Sequence, residues 1–448
     1  MSKANVLNTY DNSPKVKQIA DSLQISEQKI HLHGLVGSSL SLVIQSVFKK
    51  VERPLLLLLN DKEEAAYYLN DLEQFIGEQD VLFYPGSYRR PYQIEDTDNA
   101  NVLLRAEVLN RINSRKKPAV IVSYPEALFE KVVTKKELEK NTLKVAVGDK
   151  ISIEFINEVL FEYEFKRVDF ITEPGEFSVR GGIIDVFSFS NDNPYRIEFF
   201  GNEVDSIRSF DVETQLSIER QKKIAIIPNV ENKFFQENRE SFLEYIDSKT
   251  IVAIQNTELL LSKLDKLFNK AGEIYSTLNA TIQHVAPEKL FLNQTEFLKK
   301  SLDFSVIEMG TSPVFKTSKT FEFHIQPQPS FNKQFDLLLN NLNDNHFNGY
   351  KNYLFCSNDA QAKRFHDIFE SLDEVNHESI RKQYHTITLP IYQGFVDEEH
   401  QIACYTDHQI FERYHKFNIK NGYSKKQTIT LKELTTLSVG DYVTHIDH

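Results

Sequence analysis

Glu173-Pro174-Gly175-Glu176-Phe177-Ser178-Val179-Arg180-Gly181-Gly182-Ile183-Ile184-Asp185-Val186-Phe187, continued by Pro194-Tyr195-Arg196-Ile197-Glu198-Phe199-Phe200-Gly201, sets the fold of the middle of this chain. Two alternating runs, 183–189 and 195–200, flank the turn residues Ser190-Asn191-Asp192-Asn193, so polar and apolar side chains project from opposite faces of a hairpin. Gly181-Gly182 reads as a bulge or a close backbone approach within the sheet. A flat face carrying Arg180, Arg196 and an aromatic is a candidate partner surface.

Outward from this hairpin the period changes. Residues 15–30 carry Val16, Ile19, Leu23 and Ile25 at helical spacing. Ile30 to His33 reads as a strand that runs into Gly34 and Gly37, with Leu40 to Phe48 helical beyond. Leu55 to Asn60, Val81 to Tyr84 and Ala119 to Ser123 read as buried strands, with 62–76 helical. Short apolar strands alternating with helices imply a parallel sheet. From about 128 the strands crowd together, at Lys150 to Glu154, Phe165 to Ile171, 183–189, 195–200 and 204–210. Helix–strand alternation resumes after Ile224 to Pro228. The first α/β unit is therefore expected to be discontinuous, with a β-rich insertion. Gln326-Pro327-Gln328-Pro329-Ser330 has the composition of an extended linker. Beyond it, helical 332–345, strand Lys351 to Cys356, helical 359–371 and strand 401–405 make a smaller α/β unit, followed by a basic loop at Lys416 to Lys426.

Gly34-Leu35-Val36-Gly37-Ser38-Ser39-Leu40-Ser41 stands where a phosphate-binding loop would stand, after a strand and opening a helix. Such a loop ends Gly-Lys-Ser/Thr, because the lysine neutralises phosphate charge and the hydroxyl holds magnesium. Here Ser39 takes the last glycine position and Leu40 the lysine position, and only Ser41 is kept. The expectation is a degenerate loop without ATP hydrolysis that serves as a plain strand-to-helix turn, although an anion such as sulfate could still rest on the helix N-terminus.

The 448 residues exceed one compact core, and 41% apolar content is ordinary for globular domains. No apolar run reaches the roughly 18 residues of a membrane span, and the N-terminus has no apolar leader, so a cytoplasmic protein is expected. Two cysteines, Cys356 and Cys404, without metal-ligand spacing fit a reducing compartment. A net charge of −12 disfavours sequence-independent nucleic-acid binding. Residues 130–213 carry 11 Lys and Arg against 18 Asp and Glu, so no DNA-facing basic stripe is visible there either.

The runs EPGEFSVRGGIIDVF and PYRIEFFGNEVDSIRSFDVETQLSI closely resemble the module that bacterial transcription-repair coupling factors share with the excision-repair protein UvrB. Leu32 to Ser39, Phe83-Tyr84-Pro85 with Arg105 to Leu109, and Gly394 to Asp397 agree with that family. Val439 to His448 resembles the opening of its RNA-polymerase-interacting domain, so the chain is expected to be an N-terminal portion of a longer protein. The resemblance implies a degenerate P-loop (RecA/UvrB-like) α/β domain in two parts, 1–127 and 215–325. A UvrA-binding β-rich domain is inserted at 128–214. A small α/β domain of unassigned role covers 330–436, and the polymerase-interacting domain starts at 437–448.

The resemblance also implies roles. Arg180, Arg196 and Phe200 match the UvrA-contacting positions; an arginine fork can pair with a partner carboxylate while the ring anchors. ATP and magnesium, translocation on DNA and displacement of stalled polymerase belong to the family's C-terminal motor, leaving this portion a cofactor-free, non-catalytic monomer. In the full protein the docking face is thought to be masked by intramolecular contact; in this portion it is expected to be exposed. The alternative is a UvrB-like ATP-dependent repair helicase, which requires a lysine at position 40 and a long hairpin after Phe83.

Other constellations are weaker. Asp397-Glu398-Glu399-His400 mimics a helicase acidic box but reads as a turn, and His31 with His33 as strand histidines. Tyr84, Tyr88 and Tyr92 with Arg89 and Arg90 could stack on single-stranded bases but read as a loop. No G-x-S-x-G elbow supports hydrolytic chemistry.

Overall fold

The computed structural model describes residues 3–87, 92, 99–114, 117–189, 191–230, 239–278, 285–372 and 383–413. Tyr88, Arg89, Arg90, the basic 416–426 stretch and the expected polymerase-domain opening at 437–448 lie outside the described residues. The architecture is α/β and multidomain, with a large parallel sheet and β-rich sheets.

Seven parallel strands form the largest sheet, in the order Lys319–Glu322, Lys29–His33, Ser305–Met309, Ile251–Ile254, Leu55–Leu58, Val120–Ser123, Val81–Phe83. Leu55–Leu58 and Val120–Ser123 are continuous buried runs because both faces of a parallel sheet are covered. Helices Pro14–Leu23 and Lys62–Phe75 pack on Ser39–Val51, the helix that follows the glycine loop. Asp61 starts Lys62–Phe75 by accepting the Glu64 N–H at 2.9 Å. The strand carrying the glycine loop is flanked on both sides by strands from beyond residue 300. This sheet is therefore complete only after the chain has made the intervening β-rich excursion.

That excursion is tied at its neck, where Leu143–Ala146 pairs antiparallel with Lys223–Ile226. Between them lies a six-stranded sheet ordered Ser217–Gln221, Glu203–Phe210, Tyr195–Phe200, Ile183–Val186, Glu176–Arg180, Lys166–Arg167. It runs past residue 214, since Ser217–Gln221 pairs with Glu203–Phe210. Lys150 to Glu154 is not a strand. Ser152 caps a helix, Ile153–Glu162, by accepting the Phe155 N–H at 3.1 Å, and Ile156 and Leu160 bury against the sheet core. The alternation of Ile151 and Ile153 imitated a strand, whereas the cap and the 156/160 spacing decide for helix. The first amphipathic helix likewise stops at Leu23, and Ile25 is exposed.

A five-stranded sheet closes the described chain in the order Ile325–Pro327, Phe395–Asp397, Ile402–Thr406, Lys351–Cys356, Tyr384–Thr388. The expected linker at 326–330 is thus partly strand: Ile325–Pro327 pairs antiparallel with Phe395–Asp397 at the sheet edge, a position that tolerates Pro327. Phe355, Ile387, Leu389 and Phe395 join one continuous apolar core with the large sheet. None of the described helices is long and apolar enough to cross a membrane.

Candidate docking face and glycine loop

Strand alternation places Ser178, Arg180, Asp185, Arg196, Glu198, Ser206 and Arg208 on one face of the six-stranded sheet, opposite the buried Phe177, Ile184, Ile197 and Ile207. Register puts Arg196 directly across from Asp185 on one neighbour and Arg208 on the other. Asp185, only 2% exposed, is held by both arginines of the expected site. Arg196 donates to it bidentately, Nε to Oδ1 at 2.7 Å and Nη2 to Oδ2 at 2.9 Å, and its guanidinium lies over the Phe210 ring at 4.5 Å. Hydrogen bonding to Asp185 holds the Arg196 proton more firmly still. Arg180 donates Nη2 to the same Oδ2 and rests over Phe170 at 5.3 Å.

The three expected contact residues are therefore not equivalent. The Arg196 side chain is 16% exposed and its fork already grips an internal carboxylate, while that of Arg180 is 44% exposed. Phe200, 85% exposed, ends its strand beside the Gly181-Gly182 turn, where Phe199 donates its N–H to Gly182 O at 2.9 Å. Gly181 has φ +59, and a Cβ on Gly182 would sit 3.2 Å from Phe199 O, so the glycine pair closes the turn against the neighbouring strand. Sequence reasoning missed Asp185 and Phe170. The first shows only once cross-strand register is known, and the second only once Phe170 is found 65% exposed.

The glycine loop is filled by the chain itself. Gly34 has φ +88 and Gly37 φ +55, the left-handed turn that only glycine takes without strain. A Cβ at Gly37 would press on Gln393 Cβ and O, each 3.0 Å away, and on Gly394 O at 3.1 Å. The Ser38 N–H donates to Gln393 O at 3.0 Å, and the Gln393 N–H donates to Ser38 Oγ at 3.0 Å. Ser39 and Leu40 donate their N–H groups to Val36 O and Gly37 O. The N–H groups of Ser38, Ser39 and Leu40 thus meet carbonyls of the protein.

Leu40 is buried in the core, and Ser41 Oγ donates to Asp71 at 3.0 Å. Asp71 also accepts the Tyr392 N–H at 2.8 Å and a Ser38 hydroxyl hydrogen bond. Burial pushes its pKa up to about 7 against those hydrogen bonds. Tyr392 stacks on Tyr67 at 4.5 Å, and Tyr68 donates its hydroxyl to Gly37 O at 3.1 Å. Residues 391–394 therefore form a wedge between helix Lys62–Phe75 and the loop.

The other constellations resolve into structural roles. Asp397 accepts from Tyr10 Oη at 2.7 Å and pairs with His400 Nδ1 at 2.8 Å. Burial opposes these bonds, yet they hold its carboxyl below the usual range. His31 meets Gly310 O and His33 meets Glu322, and among the described residues no His/Cys/Asp/Glu cluster suits a metal. Tyr84 is buried, stacked on Phe242 at 4.0 Å and under Arg105, so it cannot stack on a base. Tyr92 donates to Val285 O at 2.9 Å and packs on Phe291.

A family model described as the UvrB interaction domain matches residues 143–232, the six-stranded sheet with its neck. The transcription-repair-coupling factor of Bacillus subtilis (strain 168) is 31% identical over 293 residues, 65% of this chain and 24% of that protein. That of Staphylococcus haemolyticus (strain JCSC1435) is 22% identical over 509 residues, 99% of this chain and 43% of its own length. That of Myxococcus xanthus is 30% identical over 229 residues, 50% and 19%. The chain spans less than half the length of these relatives. It carries a UvrB interaction domain and is a relative of the transcription-repair-coupling factors.

Proposed function

We propose that this chain is the adaptor portion of a transcription-repair coupling factor, which recruits UvrA through the outer face of its six-stranded sheet and does not hydrolyse ATP. The observation that carries the docking half is the coincidence of the matched interaction domain with a sheet whose outer face carries the half-exposed Arg180 and whose strand end carries the exposed Phe200. An exposed ring and a half-exposed arginine on one sheet are the residue types of binding hot spots.

The second half rests on residues 391–394. They occupy the glycine loop with backbone carbonyls, and Leu40 replaces the cation that phosphoryl transfer needs. ATP and magnesium do not fit here, so the fold is UvrB-like scaffolding around a degenerate loop. In the complete protein, ATP-driven movement on DNA, contact with RNA polymerase and its displacement fall to regions outside this sheet. A UvrB-like helicase subunit is disfavoured by the same wedge.

One preparation tests both halves. Immobilised chain captures purified UvrA in equimolar amount, and its ATP turnover stays at background and is unchanged by Ser41→Ala. Capture failure removes the docking half. Turnover that Ser41→Ala abolishes removes the scaffolding half.

A further inference from the structure

Phe411, in the small α/β unit, carries two arginines on one ring. The Arg364 guanidinium carbon lies 4.5 Å from the ring centroid and that of Arg413 lies 4.7 Å from it. Phe365 and Phe335 back the ring at 5.0 and 5.4 Å, so Phe411 is buried while both arginines are exposed. Arg364 stands on helix Asp359–Leu372. Glu412 takes the left-handed φ of +50, and the Arg413 N–H returns to His408 O at 2.7 Å, which brings Arg413 back over the ring.

Neither guanidinium has a carboxylate partner among the described residues. Glu412 pairs with Lys333 at 3.1 Å, and Asp359 accepts the Thr388 hydroxyl at 2.6 Å. The buried Asp407 accepts the Ser357 hydroxyl at 2.7 Å and its N–H at 3.0 Å. Arg180 and Arg196 share Asp185, whereas these two like charges repel each other across one ring with no anion between them. The sequence after Arg413 continues the charge, with four lysines and no Asp or Glu over residues 414–426.

We propose that Arg364 and Arg413 bind the phosphodiester backbone of duplex nucleic acid, with Phe411 as the platform that holds them. A guanidinium lying over a ring keeps its N–H edge free for phosphate oxygens and is already oriented, so less freedom is lost on binding. Phe411 is only 6% exposed, so no base stacks on it, and the contact is with the backbone rather than with unpaired bases. The net charge of −12 gives the chain no general attraction to phosphate, so the contact depends on this pair. It is independent of UvrA docking and gives the small α/β unit a role of its own.

Fluorescence anisotropy of the full chain with labelled DNA duplexes of unrelated sequence tests the site. Wild type binds each duplex at low salt with similar affinity. Arg364→Ala and Arg413→Ala each weaken binding about five-fold on every sequence. Each also lowers the slope of log affinity against log salt by about one, the mark of a lost phosphate contact. Arg167→Ala, which removes an exposed arginine from the six-stranded sheet, leaves affinity and slope unchanged. Matching thermal midpoints establish that the variants are folded. A wild type that binds no duplex, or losses no larger than that of Arg167→Ala, overturn the proposal. So does a single strand that binds more tightly than the duplex, which would place stacked bases at the site. An acidic peptide that displaces labelled duplex as well as unlabelled duplex does would overturn it too, because the pair would then be a carboxylate site.

Discussion

Arg105→Ala is expected to lower the unfolding free energy by about 3–5 kcal/mol, the range for breaking a buried ion pair from one side. Arg105 is fully buried on helix Asn99–Ser114. Its Nη1 donates to Pro85 O at 2.8 Å and Ala127 O at 3.2 Å and lies 3.4 Å from Glu130 Oε2. Its guanidinium also covers the Tyr84 ring at 4.4 Å. Glu130 in turn accepts the Ser87 N–H at 2.9 Å and the Ser87 hydroxyl at 2.6 Å. Removing the guanidinium takes the cation from a buried carboxylate and a donor from Pro85 O. A urea titration measures the loss; a shift under about 1 kcal/mol would show that the pair does not hold this segment. Arg105→Lys rescues only part, because an ammonium can reach the carbonyls that Nη1 serves but has no plane to lay over Tyr84.

The second large effect is a pH dependence at Asp71. Its folded pKa of about 7 lies above its ordinary 3.8, so between those values the folded state holds a proton that the unfolded chain releases. The contribution to stability is complete below the unfolded value and is lost as pH rises to about 7. From pH 5 to pH 8, wild type should therefore lose about 2–3 kcal/mol relative to Asp71→Asn, which is neutral throughout. The loss comes from burying the carboxylate charge, since the Ser41 and Tyr392 hydrogen bonds to Asp71 favour its ionised form. Parallel stability curves for the two proteins across that window would contradict a raised Asp71.

The sequence discloses what depends on local period and composition. Leu55 to Leu59 and Ala119 to Ser123 announce buried parallel strands, and Gly34 and Gly37 announce a tight strand-to-helix turn. It hides what depends on contacts far apart along the chain. That Gln393 and Gly394 fill the glycine loop joins residues some 350 positions apart, and no local pattern encodes it. The candidate face is half visible. The strand pattern puts Arg180 and Arg196 on one face and only the resemblance singles out Phe200, while the carboxylate that both arginines share is hidden, because Asp185 meets Arg196 only through register. Lys150 to Glu154 failed for the opposite reason: two isoleucines at strand spacing outweighed a capping serine.

Phe200 is the exposed anchor of the proposed UvrA-docking sheet, and its most direct test is a calorimetric titration of purified UvrA with wild-type chain and with Phe200→Ala. Saturable binding that weakens at least about thirty-fold in the variant, the roughly 2 kcal/mol of a hot-spot ring, at an unchanged melting temperature is the expected result. Equal affinity of the two proteins for UvrA, or no heat of binding from the wild type, would contradict it.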